Sequence, residues 1–184
     1  TSQAIAGNVF YVLDHEQSNT SYISSYSRNS LITLNQQTGI RKEFLTLDGK
    51  PLLFCTKIIR DSKQRLWILS AESIFVSDEN QQNFKAFSLL TKGNNYRFVD
   101  MMEDQEGNFW FASLRHGVFK YYPKTNTWIK LPKDPDALFV DRATALLSDP
   151  HHNAIWIADF SFGVFRYDFK TKKYEYFSAN TKDP

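Results

Sequence analysis

The sequence is poor in the residues that usually announce chemistry. A single cysteine, Cys55, excludes an intrachain disulfide and any Cys-x-x-Cys metal or redox pair. It lies in the apolar run "LLFC" and reads as a small buried hydrophobe. No stretch of eighteen apolar residues occurs, so no spanning helix or direct membrane contact is expected. Charge of one sign is also lacking. The 22 basic and 20 acidic residues are interspersed, and the densest basic run is "KTKK" at 170–173, which excludes a nucleic-acid footprint. There is no Gly-x-Ser-x-Gly elbow, no His-Glu-x-x-His and no phosphate-cradling glycine loop. His151 and His152 are adjacent, and neighbouring extended residues point to opposite sides, so they make a poor chelate and read as a solvated turn. No metal and no cofactor is expected. No pair of carboxylates stands out at glycosidase separation. No segment sustains a 3.6-residue apolar period, so no helix is predicted.

What the sequence does have is aromatic residues in a repeat. Trp67, Trp110 and Trp156 fall 43 and 46 residues apart. "GVFKYYPKTNTW" from Gly117 matches "GVFRYDFKTKKY" from Gly163, each glycine seven residues after its tryptophan and each followed eight residues later by a threonine (Thr125, Thr171). A weaker copy, "SIFVSDENQQNF", begins at Ser73. A fourth, "SLITLNQQTGIRKEF" from Ser30, has Thr38 at the threonine offset, with Ile23 taken as the substitute for the tryptophan. Each copy holds four short β-branched or aromatic stretches bounded by turn residues; in the third they are residues 96–103, 109–113, 118–122 and 127–131. Four strands per repeat of roughly 44 residues is the signature of a propeller blade. The expected fold is all-β, four four-stranded antiparallel blades at about 8–46, 52–90, 95–132 and 141–180, forming one β-propeller segment over 1–184. The chain opens "TSQAIAGNVF", without an initiator methionine or a leader, and is read as a piece of something longer.

Two further stretches, "DSKQRLW" (61–67) and "DQEGNFW" (104–110), place an aspartate six residues before a tryptophan. As a calcium loop this offers too few carboxylates, and the copy with Lys63 and Arg65 would repel a cation. It reads as a turn in which the aspartate accepts from backbone amides two residues on. The tryptophan then fills the gap between blades.

The third and fourth copies resemble the two-component regulator propeller repeat, whose pattern combines an aspartate turn, a tryptophan, a glycine and a threonine at fixed offsets; the second and first copies are degenerate. Relatives of this kind are extracytoplasmic sensor regions of hybrid two-component histidine kinases of gut Bacteroides-type bacteria. The resemblance implies a non-catalytic periplasmic segment of an inner-membrane protein, an arc of a seven-bladed propeller that senses oligosaccharides or sugars and signals to a kinase absent from this chain. Its partners would be that ligand, the remaining blades of the parent and, through open blade faces, other copies of itself. Two other readings stay open. One is a propeller that only docks proteins. The other is a sialidase-like hydrolase: Gly107 precedes Trp110 by the three residues an aspartate box needs, but Asp104 is six residues before it instead of five, and the box serine is missing. Neither a Gly-His pair nor a Trp-Asp dipeptide occurs, which disfavours a tryptophan–aspartate-repeat protein.

Sugar recognition wants flat aromatic faces and forked polar groups. The loops after each second strand and between blades supply Arg28, Tyr96, Arg115, His116, Arg142, Asp159 and Phe160 as candidate ligand-binding residues.

Overall fold

The computed structural model describes residues 9–15, 18–25, 28–87, 96–132 and 141–177. Much of the connections around 88–95 and 133–140 therefore lies outside the described residues, as does the Phe10 side chain. Four four-stranded antiparallel sheets make up almost all of the described structure. Blade 1 is β1 (Val9–His15), β2 (Thr20–Ser25), β3 (Ser30–Asn35) and β4 (Arg41–Phe44). A short ribbon follows, β5 (Thr46–Leu47) with β6 (Lys50–Pro51). Blade 2 is β7 (Lys57–Arg60), β8 (Leu66–Leu69), β9 (Ile74–Ser77) and β10 (Phe84–Phe87). Blade 3 is β11 (Phe98–Glu103), β12 (Phe109–Ser113), β13 (Gly117–Tyr122) and β14 (Thr127–Lys130). Blade 4 is β15 (Ala143–Asp149), β16 (Ala154–Asp159), β17 (Gly163–Asp168) and β18 (Tyr174–Phe177). In every blade the strands are paired in chain order, as hairpin-connected strands must be.

The chain divides into two compact units, residues 1–93 and 94–184, each holding two blades. In the first unit, the cross-strand row Ile58, Ile68 and Phe75 of blade 2 is fully buried against Tyr22 and Leu31 of blade 1. Burying each such side chain is worth roughly 1.5–3 kcal/mol. Cys55 is in the same cluster, and burial pushes its thiol up to about 12, so it is the inert small hydrophobe its apolar neighbours implied. The stretch "TLDGKP" (46–51) is the β5–β6 hairpin that follows blade 1. Asp48 and Gly49 both take positive φ (49° and 70°), which suits a two-residue hairpin. Asp48 Oδ2 then accepts from the Ala86 amide at 2.9 Å, covering part of the blade 2 edge.

In the second unit, blade 3 packs its tryptophan-bearing face on the opposite face of blade 4. Trp110, Ala112, Val118 and Leu131 meet Ile155, Ile157, Phe165 and Tyr167. Trp110 stacks on Phe169 with ring centroids 5.2 Å apart, so this tryptophan does fill an inter-blade gap. Asp100, buried in the first strand of blade 3, accepts the Leu146 amide of blade 4 at 2.8 Å.

Register corrects one placement in the repeat. Each tryptophan lies three residues before the residue that ends the second strand (Ser113, Asp159) or directly follows it (Ser70). In blade 1 the pair Ser25–Ser30 closes the same hairpin, and three residues back is Tyr22, opposite Thr33 as Trp110 is opposite Lys120. Tyr22, and not Ile23, therefore stands in the tryptophan's place; Ile23 points to the other face because successive strand residues alternate.

Candidate functional site: the loop end of the second unit

In blades 2 and 3 the turn after the first strand is held by the aspartate that the spacing singled out, and Asp149 has the same place in blade 4. Asp61 Oδ1 accepts the amides of Lys63 and Arg65 at 3.0 and 2.9 Å. Asp104 Oδ1 likewise accepts those of Glu106 and Asn108 at 3.0 and 2.9 Å. The second oxygen of each takes the indole N–H of its own blade's tryptophan: Trp67 to Asp61 at 2.9 Å, Trp110 to Asp104 at 2.9 Å and Trp156 to Asp149 at 3.1 Å. A cation completes each set. Arg65 Nη2 is 2.7 Å from Asp61, Lys120 Nζ 2.9 Å from Asp104 and Arg166 Nε 3.8 Å from Asp149. Burial pushes the Asp104 carboxyl up, but Lys120, the Asn108 amide and the Trp110 indole outweigh it and hold it below the ordinary value. In blade 4 the turn is one residue longer: a 3₁₀ turn at Pro150–His152 caps on Asp149, and His152 Nδ1 sits 2.9 Å from that carboxylate. His151 and His152 are exposed, the latter spent on the turn. At this end the aspartates and His152 are spent on holding the turns.

The opposite end carries the candidate ligand residues. There, in blades 2, 3 and 4, the residue at or just past the end of the second strand ties down the incoming chain. Ser70 Oγ donates to the Leu53 carbonyl at 2.7 Å, and Ser113 Oγ donates to the Tyr96 carbonyl. Asp159 does the same work as an acceptor, taking the amides of Arg142, Ser161 and Phe162 at 3.1, 2.8 and 3.2 Å. Its carboxylate is buried and committed to backbone donors.

Tyr96 lies against Phe98, His116 and Phe119, with ring centroids 5.6, 5.2 and 5.2 Å away. The His116 Nδ1 atom is buried without a hydrogen-bond partner. Arg115, one residue before it, is exposed. Arg142 lays its guanidinium 4.5 Å over the exposed ring of Phe160 and donates to Ser161 Oγ at 3.2 Å. The two groups are joined where the Gly117 amide donates to the Asp141 carbonyl at 3.1 Å. Six of the seven candidates, Tyr96, Arg115, His116, Arg142, Asp159 and Phe160, thus share one end of the second unit. Arg28 belongs to the first unit. It is held bidentately by Glu43 at 2.8 and 3.0 Å, and Glu43 also takes Ser30 Oγ at 2.8 Å. The Ser30 hydroxyl does most to hold the Glu43 carboxyl below its ordinary value; burial pushes it up, and Arg28 and Arg41 add to the lowering.

Residue reasoning did not find a cleft of about 430 Å³ within the second unit, toward its turn end, between the outer parts of blades 3 and 4. Trp110, Lys120, Tyr122 and Ile129 line one side, and Tyr167, Phe169 and Lys172 the other. The alternation Lys120, Tyr122 in "GVFKYY" puts both on one face of β13, the only hint the sequence offered. Among the described residues no group of three or more His, Cys, Asp or Glu converges as a metal site.

Four sheets of this strand order, three of them carrying the same aspartate–tryptophan link, define the chain as built of β-propeller blades. Solved structures agree in fold. An extracellular domain of the hybrid two-component system BT4673 from B. thetaiotaomicron superposes with a TM-score of 0.74 at 12% identity, over 97% of this chain and 24% of that one. That of BT3049 from the same organism gives 0.72 at 17% identity, over 96% and 22%. Virginiamycin B lyase from Staphylococcus aureus gives 0.72 at 13% identity, over 95% and 56%. The chain therefore spans under a quarter of the two sensor domains and just over half of the lyase. No protein-family model and no curated protein matches the sequence.

Proposed function

We propose that this chain is a ligand-sensing extracytoplasmic segment of a hybrid two-component sensor histidine kinase/response regulator, located in the periplasm. The observation that carries the reading is the coincidence of two independent signals. The aspartate–tryptophan–glycine–threonine repeat resembles that of such sensors. Two sensor extracellular domains share the fold over 97% and 96% of this chain, at TM-scores of 0.74 and 0.72. The lyase shares the fold equally well, so it is the repeat motif that favours sensing over catalysis.

In this reading the four blades are an arc of a larger, seven-bladed ring completed by other blades of the parent. The segment itself is non-catalytic, and the signal passes to a kinase outside it. The ligand is an oligosaccharide or sugar, met by the loop end where Arg115, His116, Tyr96, Arg142 and Phe160 assemble. Asp159 serves there as the brace that shapes the Arg142–Phe160 pair. The open blade faces also provide for self-association.

A glycan array probed with the intact extracytoplasmic region, followed by titration of hits against Arg115→Ala and Arg142→Ala, tests this. A hit whose affinity falls tenfold or more in either variant supports the reading. An array without a hit, or hits indifferent to both changes, removes the sugar-sensing loop end.

A further inference from the structure

The cleft between blades 3 and 4 has features that the turn chemistry does not use up. Its floor is electrically balanced. Lys120 Nζ is paired with Asp104 at 2.9 Å and lies 4.6, 5.1 and 5.7 Å from the ring centroids of Trp110, Tyr122 and Phe169. An ammonium that already fills this aromatic cage leaves no place for a ligand cation. Above the floor, Tyr122 and Phe169 contribute aromatic walls from the two blades. Tyr122 also borders a second hollow with Glu106, Asn108, Lys124 and Thr125, so one ring separates two adjoining spaces. The rim is polar and carries both signs, with Gln105, Glu106 and Lys172 all exposed. About 430 Å³ is at the lower end of small-ligand sites and suits one ring with room for a second. Rings that offer an apolar face to an aromatic wall and hydroxyls to a carboxylate, an amide and an ammonium are pyranoses.

We infer that this inter-blade cleft is a binding site for one neutral pyranose unit, separate from the loop end and standing whether or not the loop end binds ligand. The ring lies against Tyr122 and Phe169, and its hydroxyls reach Glu106, Gln105 and Lys172. The exposed Gln105 and Lys172 side chains set affinity without holding the fold, while Glu106 keeps one carboxylate oxygen on Asn108 Nδ2 at 3.0 Å and offers the other. Lys172 takes a positive φ of 57°, which asparagine also tolerates, so Lys172→Asn removes the ammonium without straining the turn.

The test titrates the chain with the methyl α- and β-pyranosides of glucose, galactose and mannose and follows the Trp110 indole N–H resonance by NMR. At least one of the six is expected to shift that resonance saturably. Lys172→Asn or Gln105→Ala should weaken that ligand by about 2–10-fold, as the loss of one hydrogen bond does, and Tyr122→Ala by more. Arg115→Ala, at the other end, should leave the affinity unchanged. If none of the six moves Trp110, or if Arg115→Ala weakens binding while Lys172→Asn does not, the cleft is not the site. In the latter case the loop-end reading stands and only this inference falls.

Discussion

Trp110 donates its indole N–H to Asp104 Oδ2 at 2.9 Å, six residues back along the chain, while its ring stacks on Phe169 of the next blade. One side chain thereby fastens a turn and fills an inter-blade gap. The two contributions separate by mutation. Trp110→Ala should cost roughly 3–5 kcal/mol, the range for a buried aromatic. Trp110→Phe keeps most of the ring and removes one of the donors to Asp104 Oδ2, which retains Lys120 at 2.9 Å and Asn108 Nδ2 at 3.3 Å, so it should cost about 0.5–1.5 kcal/mol. Arg115→Ala, exposed, should stay within about 0.5 kcal/mol of the parent. Urea midpoints at constant m-value measure all three. Equal losses for Trp110→Ala and Arg115→Ala would contradict the assignment.

The same link makes stability fall in acid. Lys120, the Asn108 amide and the Trp110 indole hold the folded Asp104 carboxyl below its ordinary value, against the upward push of its burial. Asp149 is held low first by His152, and Asp168 first by the Thr171 amide. A carboxyl with a depressed folded pKa contributes stability above its unfolded value of about 3.9 and loses it as pH falls through the folded one. Unfolding midpoints should therefore be flat from about pH 7 to 5 and drop below about pH 4. Asp104→Asn should start less stable at pH 7 and show a shallower acid limb, since one of the contributing carboxylates is gone. An acid limb as steep as the parent's would show that Asp104 does not titrate with folding.

Much of this was legible in advance, and the exceptions have physical causes. Strand positions followed from alternating β-branched and aromatic residues, and β12 at Phe109–Ser113 falls where "FWFAS" put it. The aspartate turn was legible because Asx turns act locally. The indole bond six or seven residues on was not, since it needs the hairpin folded back so that both ends meet. Tyr22 was missed for a related reason: alignment on letters favours an apolar residue, whereas register counts back from Ser25. At the candidate site, the loops that converge were legible from blade geometry. The bond from the Arg142 amide to Asp159 and that of Arg28 to Glu43 join residues 17 and 15 positions apart. The blade 3–blade 4 cleft left no mark beyond Lys120 and Tyr122.

No glycosidase activity is expected of the chain. Its box-like turn departs from the sialidase pattern at the aspartate spacing, and Asp61, Asp104 and Asp149 are each engaged by turn amides and an indole. Aryl-sialosides and aryl-glycosides should show no turnover above a buffer blank. Turnover abolished by changing a single acidic residue would put the hydrolase reading ahead of the sensor reading.

The last expectation concerns the tryptophan-bearing face of blade 4. In blade 3 that face carries the row Met102, Trp110, Lys120 and Ile129, and blade 4 covers it, leaving Trp110 1% exposed. The matching row of blade 4 is Leu147, Trp156, Arg166 and Glu175. There Leu147 is 66% exposed, and Phe177, whose ring lies 5.1 Å from that of Trp156, is 47% exposed. Another blade, turned as blade 4 is turned on blade 3, would cover these side chains at roughly 1.5–3 kcal/mol apiece for full burial. In the chain by itself, a second copy can supply such a surface. Concentration-dependent association is expected at about 1–100 µM, equivalent to roughly 5–8 kcal/mol. Leu147→Glu should abolish it while leaving the unfolding midpoint nearly unchanged, because a side chain so exposed contributes little to the fold. Sedimentation velocity across that range decides the matter: a single monomeric species at every concentration, with Leu147→Glu indistinguishable from the parent, would mean that this face does not pair with another copy.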